Sequence, residues 1–318
     1  MKNFWKELNK PIFVLAPMAD VTDCAFRQII AKYGKPDVFW TEFVSADGLA
    51  HPEARPKLLI DLKFDKNEHP IVAQIFGSNP DNIREASKLC HELGFDGVDI
   101  NMGCPDKSVE KQGAGAGMIK NPKLAREIIR AAKEGAGGLP ISVKTRIGYN
   151  KNEMETWLRE ILAEDIAVLT VHLRTRKEMS LVPAHWDLMK RIVEIRDEMG
   201  VDTLIFGNGD VVDIKDAEQK VKETGCDGVM LGRAIFGNPW LFSDKVPTIQ
   251  EKLQVMIEHT KLFEEMLGGH KNFAIMKKHY KAYVNGFDGA KELRMKLMEA
   301  ENAEQIEEIT NDFLAQIM

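Results

Sequence analysis

The sequence predicts an eight-stranded (β/α)8 barrel, an α/β TIM barrel, followed by a small C-terminal helical domain. Three observations predict this class: eight short apolar runs, a helical stretch or loop after each run, and the end of the strand-like texture near residue 245. The runs are almost continuously hydrophobic, as strands buried on both faces of a parallel sheet must be. Eight such units in roughly 250 residues match the usual size of this barrel. The predicted strands cover residues 12–18, 38–45, 70–77, 97–103, 140–147, 167–174, 203–209 and 228–233.

Helical periodicity separates most of these strands, and two stretches show it most clearly. NPDNIREASKLCHELG can begin at Asn79 or Asp81 and can end at Gly94. NPKLAREIIRAAKEG repeats the pattern, with Pro122 in its first turn and Gly135 after its end. A doubly wound open sheet is the competing topology, and it often carries a GxGxxG turn after its first strand. Here the first strand ends in APMADVTD, so the barrel is favoured.

The last quarter of the chain has only helical periodicity. Four segments after residue 245 place apolar residues three and four positions apart, and Gly268, Gly269 and Gly286 separate them. We place the boundary near Pro247. The expected division is a catalytic barrel at 1–244 and a helical domain at 245–318.

The composition is that of an ordinary soluble globular protein, with 44% hydrophobic and 29% charged residues. No apolar run reaches the length of a membrane span, and MKNFWKELNK lacks the apolar core of a secretory signal, so we expect a cytoplasmic protein with no membrane partner. The formal net charge of −6, taken alone, argues against a nucleic-acid partner. It does not exclude one, because the net charge averages over the field of a single face.

Polar side chains lie near the end of nearly every predicted strand. A buried polar group is costly unless it is satisfied, and the active site of this barrel lies at the carboxyl ends of the strands. The pattern therefore predicts one convergent site. Its candidates are Pro17, Met18, Ala19, Glu42, Gln74, Asn101, Cys104, Lys144, Arg146, His172, Arg174, Arg176, Asn208, Gly209, Asp210, Gly232 and Arg233.

The ends of the seventh and eighth strands, GNGD and LGRA, place glycines where backbone N–H groups can approach an anion. Phosphate groups often bind after these two strands of the barrel. Glycines that only form tight turns are the alternative. The two motifs together, with Arg233 as a charge partner, favour a phosphate site.

Lys144 lies in the middle of an apolar strand, where an unpaired ammonium is costly. It could form a salt bridge with Glu42 or Asp99 inside the barrel. Alternatively, it could stabilise the negative charge of a reduced flavin. His172 could donate to a flavin or a substrate, or be a satisfied core histidine.

The four cysteines form no CxxC pair, so we expect no metal site. Cys90 and Cys226 fit the pattern of small buried residues. Cys104 differs, because NMGCP places it in a loop just past the fourth strand. A general acid fits this thiol best, because an unperturbed thiol is protonated at neutral pH and can donate its proton.

These motifs together resemble the tRNA-dihydrouridine synthase family over nearly the whole chain. APMADVTDCAFR, QIFG, DINMGCP, VKTRIG, TVHLRTR, GNGDV and LGRAIFGNPWLF occur in that family's order and spacing. The tail, with KKHY and the pair Leu293-Arg294, is similar to the family's tRNA-binding domain. KQGAGAGMIKNP is richer in small residues than the family pattern, and Leu173 replaces a residue that is often small.

The resemblance implies that FMN is the bound cofactor and that NADPH, or NADH, reduces it. Hydride would pass from flavin N5 to C6 of a uracil, and Cys104 would protonate C5. The implied FMN contacts are Pro17, Met18, Ala19, Gln74, Lys144 and His172 around the ring, and Asn208, Gly209, Asp210, Gly232 and Arg233 at the phosphate.

The resemblance also implies that the substrate is tRNA, with the target uridine turned outward to reach the flavin. The implied substrate contacts are Asn101, Arg146, Arg174 and Arg176 in the barrel, and Lys278 and Arg294 in the tail. Local basic clusters thus offset the acidic net charge, although a solvated helix face is the common reason for such lysines. We expect a monomer.

Two other functions remain open from the sequence. An FMN barrel could reduce a small molecule such as a free pyrimidine or an enone, although such an enzyme has no need of a basic helical tail. A non-catalytic RNA-binding protein is the other, and the presence of Cys104, Lys144, His172 and Arg233 argues against it.

Overall fold

The computed structural model describes residues 3–317, and its strands form one parallel sheet. The order is β1–β9–β8–β7–β6–β5–β4–β2, and β3 also pairs with β4. A parallel bridge between Val14 and Val38 joins the two ends of this order and brings the sheet round into a barrel. The predicted fold class is therefore confirmed. The strands are β1 (Ile12–Leu15), β2 (Phe39–Trp40), β3 (Val44–Ser45), β4 (Ile71–Phe76), β5 (Gly97–Met102), β6 (Ile141–Arg146), β7 (Val168–His172), β8 (Leu204–Asn208) and β9 (Gly228–Leu231).

Helices cover the outside of the barrel and form the tail. Those of the barrel are α1 (Cys24–Tyr33), α2 (Ala46–Ala50), α3 (Arg55–Leu58), α4 (Pro80–Glu92), α5 (Lys107–Lys111), α6 (Pro122–Gly135), α7 (Met154–Leu162), α8 (Met189–Met199) and α9 (Ile214–Thr224). Those of the tail are α10 (Ile249–Leu267), α11 (Lys277–Tyr283), α12 (Ala290–Glu299) and α13 (Ala303–Ile317). No helix in the described part of the chain is both long and apolar enough to cross a bilayer.

The single strand predicted at 38–45 is wrong in detail, because it divides into β2 and β3. Thr41 lies in the gap, and its hydroxyl oxygen accepts a hydrogen bond from the Gln74 N–H at 3.0 Å. That hydroxyl replaces the backbone carbonyl that a continuous ladder would offer. The first strand is also shorter than predicted, because Pro17 has no N–H for the ladder.

The two helices with the clearest sequence pattern, α4 and α6, begin where the sequence predicts. Asn79, not Asp81, is the N-cap of α4, and its side chain accepts from the Asp81 N–H at 2.9 Å. Gly135 is the last residue of α6 rather than the residue after it. A Cβ at Gly135 would lie 2.0 Å from the Arg84 carbonyl oxygen, so this glycine allows α4 and α6 to pack closely.

Aromatic residues fill the amino-terminal end of the barrel. Trp5, from a short 3-10 helix at Phe4–Glu7, packs with Trp40 and Phe206 at ring-centroid distances of 5.7 Å each. These rings and the aliphatic side chains around them form a separate buried cluster. Apolar side chains therefore close the amino-terminal end of the barrel, and the polar residues of the strands lie toward the opposite, carboxyl end.

The tail packs against α1 of the barrel through α10. Phe26 of α1 stacks on His259 of α10 at 4.7 Å and meets His279 of α11 edge-on at 4.8 Å. All three side chains are buried, so the hydrophobic core runs from the barrel into the tail. Burial lowers the pKa of His279 to about 3, and this histidine therefore stays neutral.

Candidate active site

A cleft of about 270 Å³ opens at the carboxyl ends of β1, β6, β7, β8 and β9. The strand ends that the sequence singled out converge here, as the barrel geometry requires. The lining residues are Ala16, Pro17, Met18, Lys144, His172, Arg174, Ser180, Asn208, Gly209, Asp210, Val211, Met230, Gly232 and Arg233.

Lys144 brings an ammonium without a hydrogen-bonded partner among the described residues to the wall of this cleft. Its ammonium has no hydrogen bond or ion pair within residues 3–317, because Glu42 bonds Lys271 and Asp99 bonds Gln74 and Ser142. The predicted alternative of a salt bridge to Glu42 or Asp99 is therefore wrong. Burial, and next the charge of Arg146, lower the pKa of Lys144 to about 8. A group of this kind is suited to an anionic ligand.

His172 is held as a neutral imidazole beside Lys144. Its Nε2 lies 3.1 Å from Nη1 of Arg174, and because a guanidinium can only donate, Nε2 is the acceptor. The ring proton therefore belongs on Nδ1. Burial, and next the charges of Lys144 and Arg146, hold the pKa of His172 well below its usual value. His172 is thus a hydrogen-bond donor through Nδ1 and carries no charge.

Asp210 holds the two arginines at the other end of the cleft. Its carboxylate accepts from Arg174 Nη2, from Arg233 Nη2 at 2.6 Å and from the Ala184 N–H at 2.8 Å. Hydrogen bonds from Arg174 are the main cause of its lowered pKa. Arg174 is 3% exposed, whereas Arg233 is 67% exposed and free to turn toward a ligand.

The glycines beside this arginine leave the backbone accessible. Gly209 has a φ of +129°, which a residue with a side chain rarely adopts. Its carbonyl accepts from Trp186 Nε1 at 2.7 Å, and the neighbouring Asn208 donates to the Met230 carbonyl at 2.8 Å. A Cβ added at Gly232 would approach Ala16 and Met18, both of which line the cleft. A short 3-10 helix at Arg233–Ile235 begins directly after this glycine.

A buried hydrogen-bond network positions the loop that carries Cys104. Oδ1 of Asn101 accepts from the N–H groups of Gly103 and Cys104 at 3.1 and 2.9 Å. Its Nδ2 donates to Gln74 Oε1 at 3.0 Å, and Gln74 Nε2 donates to Asp99 at 2.7 Å. Burial raises the pKa of Asp99 to about 6. The chain of side chains ends at Ser142, whose hydroxyl donates to Asp99 at 2.6 Å.

The small residues of KQGAGAGM allow the next segment to lie directly against this loop. A Cβ at Gly115 would lie 2.7 Å from the Cys104 carbonyl oxygen and 2.8 Å from Val109 Cγ1. That carbonyl accepts from the Ala116 N–H at 2.8 Å. The small residues of this segment are therefore a packing requirement of the cysteine loop.

Cys104 itself is half-buried, whereas the other three cysteines are buried. Burial raises the pKa of the Cys104 thiol, and the charges of Lys144 and Arg146 oppose this rise. The thiol is therefore protonated at neutral pH. Within the described residues, no group of three His, Cys, Asp or Glu side chains could hold a metal ion.

The sequence matches the family model described as "Dihydrouridine synthase (Dus)" over residues 14–318. The chain belongs to the dihydrouridine synthase family. It is 44% identical to the "Probable tRNA-dihydrouridine synthase" of Staphylococcus aureus strain N315, over 99% of this chain and 97% of that protein. It is also 44% identical to the "Probable tRNA-dihydrouridine synthase 2" of Bacillus subtilis strain 168, over 98% and 97% of the two chains.

Solved structures with a similar fold agree with the barrel. An old yellow enzyme homologue from Zymomonas mobilis superposes with a TM-score of 0.51 at 13% identity, over 72% of this chain and 86% of that one. Morphinone reductase superposes with a TM-score of 0.52 at 12% identity, over 72% and 84%. At this identity the likeness concerns the fold alone.

Several of the residues predicted as direct contacts lie outside the lining of this cleft. Ala19 is exposed outside the cleft lining, and Gln74 is fully buried in the network behind it. Arg176 forms an ion pair with Glu110 of α5, beside the cysteine loop.

Asn101, Arg146 and Arg174 were predicted to contact the substrate, but the structure buries all three. Arg146 donates to the carbonyls of Gly103 and Met179 at 2.8 and 3.0 Å, and Arg174 donates to that of Val182 at 2.6 Å. These hydrogen bonds to loop backbone support the site, Arg174 also lines the cleft, and contact of the three residues with a substrate stays a prediction.

The two tail residues that the resemblance implies as tRNA contacts, Arg294 and Lys278, have different surroundings. Arg294 donates to the Val284 carbonyl at 2.6 Å, so it fixes α12 against the end of α11. Lys278 is exposed, and no described residue forms an ion pair with it.

The sequence reasoning missed some residues of the site. Ala16, Val211 and Met230 line the cleft but are apolar, and Ser180 lines it from a loop beyond the predicted strand ends. Asp99 did carry a signal, because it is an acidic residue inside the apolar run GVDINM. A buried carboxylate in such a run indicates a hydrogen-bond network.

Proposed function

We propose that this protein reduces uridines of tRNA to 5,6-dihydrouridine, with FMN in the cleft and NADPH, or NADH, as the electron donor. The proposal rests on one observation. In this member of the family, the ammonium of Lys144 lies in the cleft without an ion pair among the described residues, and the half-buried thiol of Cys104 follows the neighbouring strand β5. The names of the related proteins indicate the same reaction.

The residues of the cleft fit FMN at both of its ends. Lys144 and the Nδ1–H of His172 present a cation and a donor to the electron-rich edge of a flavin ring. Gly209, Gly232 and the exposed guanidinium of Arg233 suit the phosphate. Bound FMN supplies the hydride for C6 of the uracil.

Asp210 has a different part from the phosphate contact that the resemblance implied. A carboxylate repels a phosphate, so its part is to hold Arg174 and Arg233 in place. We propose that Arg233 turns from Asp210 to the phosphate, while Arg174 stays buried and keeps His172 neutral.

Cys104 delivers the proton in this proposal. The thiol donates it to C5 of the uracil after hydride reaches C6, and its raised pKa keeps the proton available at neutral pH. Asn101 supports the step, because its two backbone hydrogen bonds set the direction of the cysteine loop.

We propose that residues 1–244 carry the chemistry and residues 245–318 orient the tRNA, in a monomeric cytoplasmic enzyme. The exposed Lys278 fits a phosphate of the tRNA backbone. A uridine must leave its stack to reach the cleft, and this extrusion is the step that a tail bound to the tRNA body would support.

Cys104→Ala, with Cys226→Ala as the control, tests the proposal. We expect Cys104→Ala to bind FMN like the unmodified protein and to form dihydrouridine on unmodified tRNA at least about a hundred times more slowly. Cys226 is buried at the amino-terminal end of β9, the end opposite the cleft, so we expect its variant to keep the activity. Full activity of Cys104→Ala would refute the acid role, and tRNA binding without FMN would favour a non-catalytic RNA-binding protein.

A further inference from the structure

Lys271, in the short loop after α10, reaches from the tail into a group of barrel carboxylates. Its Nζ lies 2.7 Å from Glu42 Oε2, 2.9 Å from Asp61 Oδ1 and 3.8 Å from Asp20 Oδ1. The lysine is 12% exposed and Glu42 is 5% exposed. We call these four residues the Lys271 cluster. It is an ion-pair network between tail and barrel in which Lys271 and Glu42 are nearly closed to water, whereas Asp61 is 24% and Asp20 is 56% exposed.

The cluster continues into the wall of the cleft. The other oxygen of Glu42, Oε1, accepts from the backbone N–H of Asp20, which has a φ of +56°. Asp20 lies in the turn after β1, where the Met18 carbonyl accepts from the N–H groups of Val21 and Thr22 at 3.0 Å each. Met18 lines the cleft. Only Glu42 and one turn separate the lysine of the tail from the cofactor site.

Charge balance within the cluster depends on this one lysine. Glu42 faces Asp20, Asp61 and the buried Asp23, one of whose oxygens has no hydrogen bond in the described structure. Arg27 is the other buried cation nearby, and Glu68 binds it at 2.6 Å. Burial raises the pKa of Glu42, and Lys271 opposes that rise. Without the lysine, the buried carboxylate of Glu42 would lie near the buried Asp23 with no cation bound to it.

We propose that Lys271 is a positioning residue that fixes the tail to the mouth of the barrel and, through Glu42 and Asp20, fixes the turn that carries Met18. The inference rests on the proposed function, because it assigns the tail a part in cofactor affinity as well as in tRNA binding. No contact between Lys271 and the cofactor is required.

Lys271→Met in the full chain tests this, with Lys261→Met as a matched control. Lys261 also has a carboxylate partner at 2.6 Å, but that partner is Glu307, within the tail. We expect the FMN dissociation constant of Lys271→Met to rise about tenfold over the unmodified protein at about pH 8, which corresponds to about 1.4 kcal/mol. Lys261→Met should leave it unchanged.

The pH dependence separates this role from general damage. Without Lys271, the pKa of Glu42 rises further, so the carboxyl is neutral at low pH and a buried charge at high pH. The ratio of the two dissociation constants should therefore be smaller near about pH 5.5 than near about pH 8. The urea midpoint of the flavin-free variant should show the same trend relative to the unmodified protein.

A second substitution should rescue the first. Glu42→Gln removes the charge but keeps an oxygen for the Asp20 N–H, so Lys271→Met/Glu42→Gln should bind FMN within about threefold of the unmodified protein at both pH values. If Lys271→Met does not fold, the double variant and Lys271→Arg should still fold and bind FMN.

Three results would overturn the inference: an unchanged FMN affinity in Lys271→Met, a loss that is equal at both pH values, or the absence of rescue by Glu42→Gln. Failure of the unmodified protein to bind FMN would instead overturn the proposed function. The urea measurements would then still decide whether the Lys271 cluster holds the tail to the barrel.

Discussion

Two lysines that are largely shielded from water, Lys144 in the cleft and Lys271 at the junction of barrel and tail, have opposite surroundings. Lys271 has three carboxylates within 4 Å, and their attraction outweighs burial, so its pKa is raised. Lys144 has no partner in the described structure, and burial lowers its pKa to about 8. We infer that a buried lysine with carboxylate partners, such as Lys271, connects two parts of the protein. A buried lysine without an ion pair at a cleft, such as Lys144, is available to bind a ligand.

The largest expected effect is that of Lys144→Met on activity. Dihydrouridine formation should fall by about 10²-fold or more, because the cation that faces the flavin is lost. The flavin-free variant should be more stable than the unmodified protein by about 1 kcal/mol at neutral pH, because a costly buried ammonium is removed. Single-turnover kinetics and urea unfolding measure the two effects. A less stable and fully active variant would mean that Lys144 is structural.

Lys271→Met should show the converse behaviour. Its free energy of unfolding should fall by about 3 kcal/mol, because the buried carboxylate of Glu42 loses its cation. At saturating FMN, its rate of dihydrouridine formation should fall far less than that of Lys144→Met. Equal losses of stability in Lys144→Met and Lys271→Met would remove the distinction between the two lysines.

The pH dependence of FMN binding should also distinguish Lys144. Its pKa of about 8 in the free protein means that the ammonium is present below that pH and is lost as the pH rises through it. A bound anion favours the charged form, so the FMN dissociation constant should increase by up to about tenfold per unit above about pH 8. Fluorescence titration across this range measures the slope. Lys144→Met should lack it.

The smallest effect is expected for Lys278, an exposed lysine with no ion pair in the described structure. Lys278→Ala should raise the KM for tRNA a few-fold and reduce its salt dependence, because one phosphate contact is lost. The free energy of unfolding should change by less than about 0.5 kcal/mol. A large loss of stability would place Lys278 with Lys271 as a structural residue.

The fold was predictable because its signals are local. Eight apolar runs, the N-cap Asn79 and the first-turn Pro122 are visible in short windows of sequence, and the barrel follows from their order. The division of the second strand was not visible, because it depends on a hydrogen bond from Gln74 to the side chain of Thr41, 33 residues away.

The site was predictable only where the strand ends determine it. Lys144, His172, Asn208 and Arg233 line the cleft because parallel strands all end at one edge. The hydrogen bonds of Arg146 and Arg174 to loop carbonyls could not be predicted, because no local pattern gives the positions of those carbonyls. Lys271 and Glu42 are 229 residues apart, and nothing in either segment indicates the pair.

A crystal structure of the FMN complex tests the central claim most directly. The account predicts FMN in the cleft of about 270 Å³, with Lys144 Nζ in hydrogen-bond contact with the flavin ring, Arg233 turned to the phosphate, and Cys104 facing the open side of the ring. FMN bound elsewhere, such as in the larger cavity of about 910 Å³ at the amino-terminal end of the barrel, would contradict it. So would a Cys104 thiol turned away from the flavin.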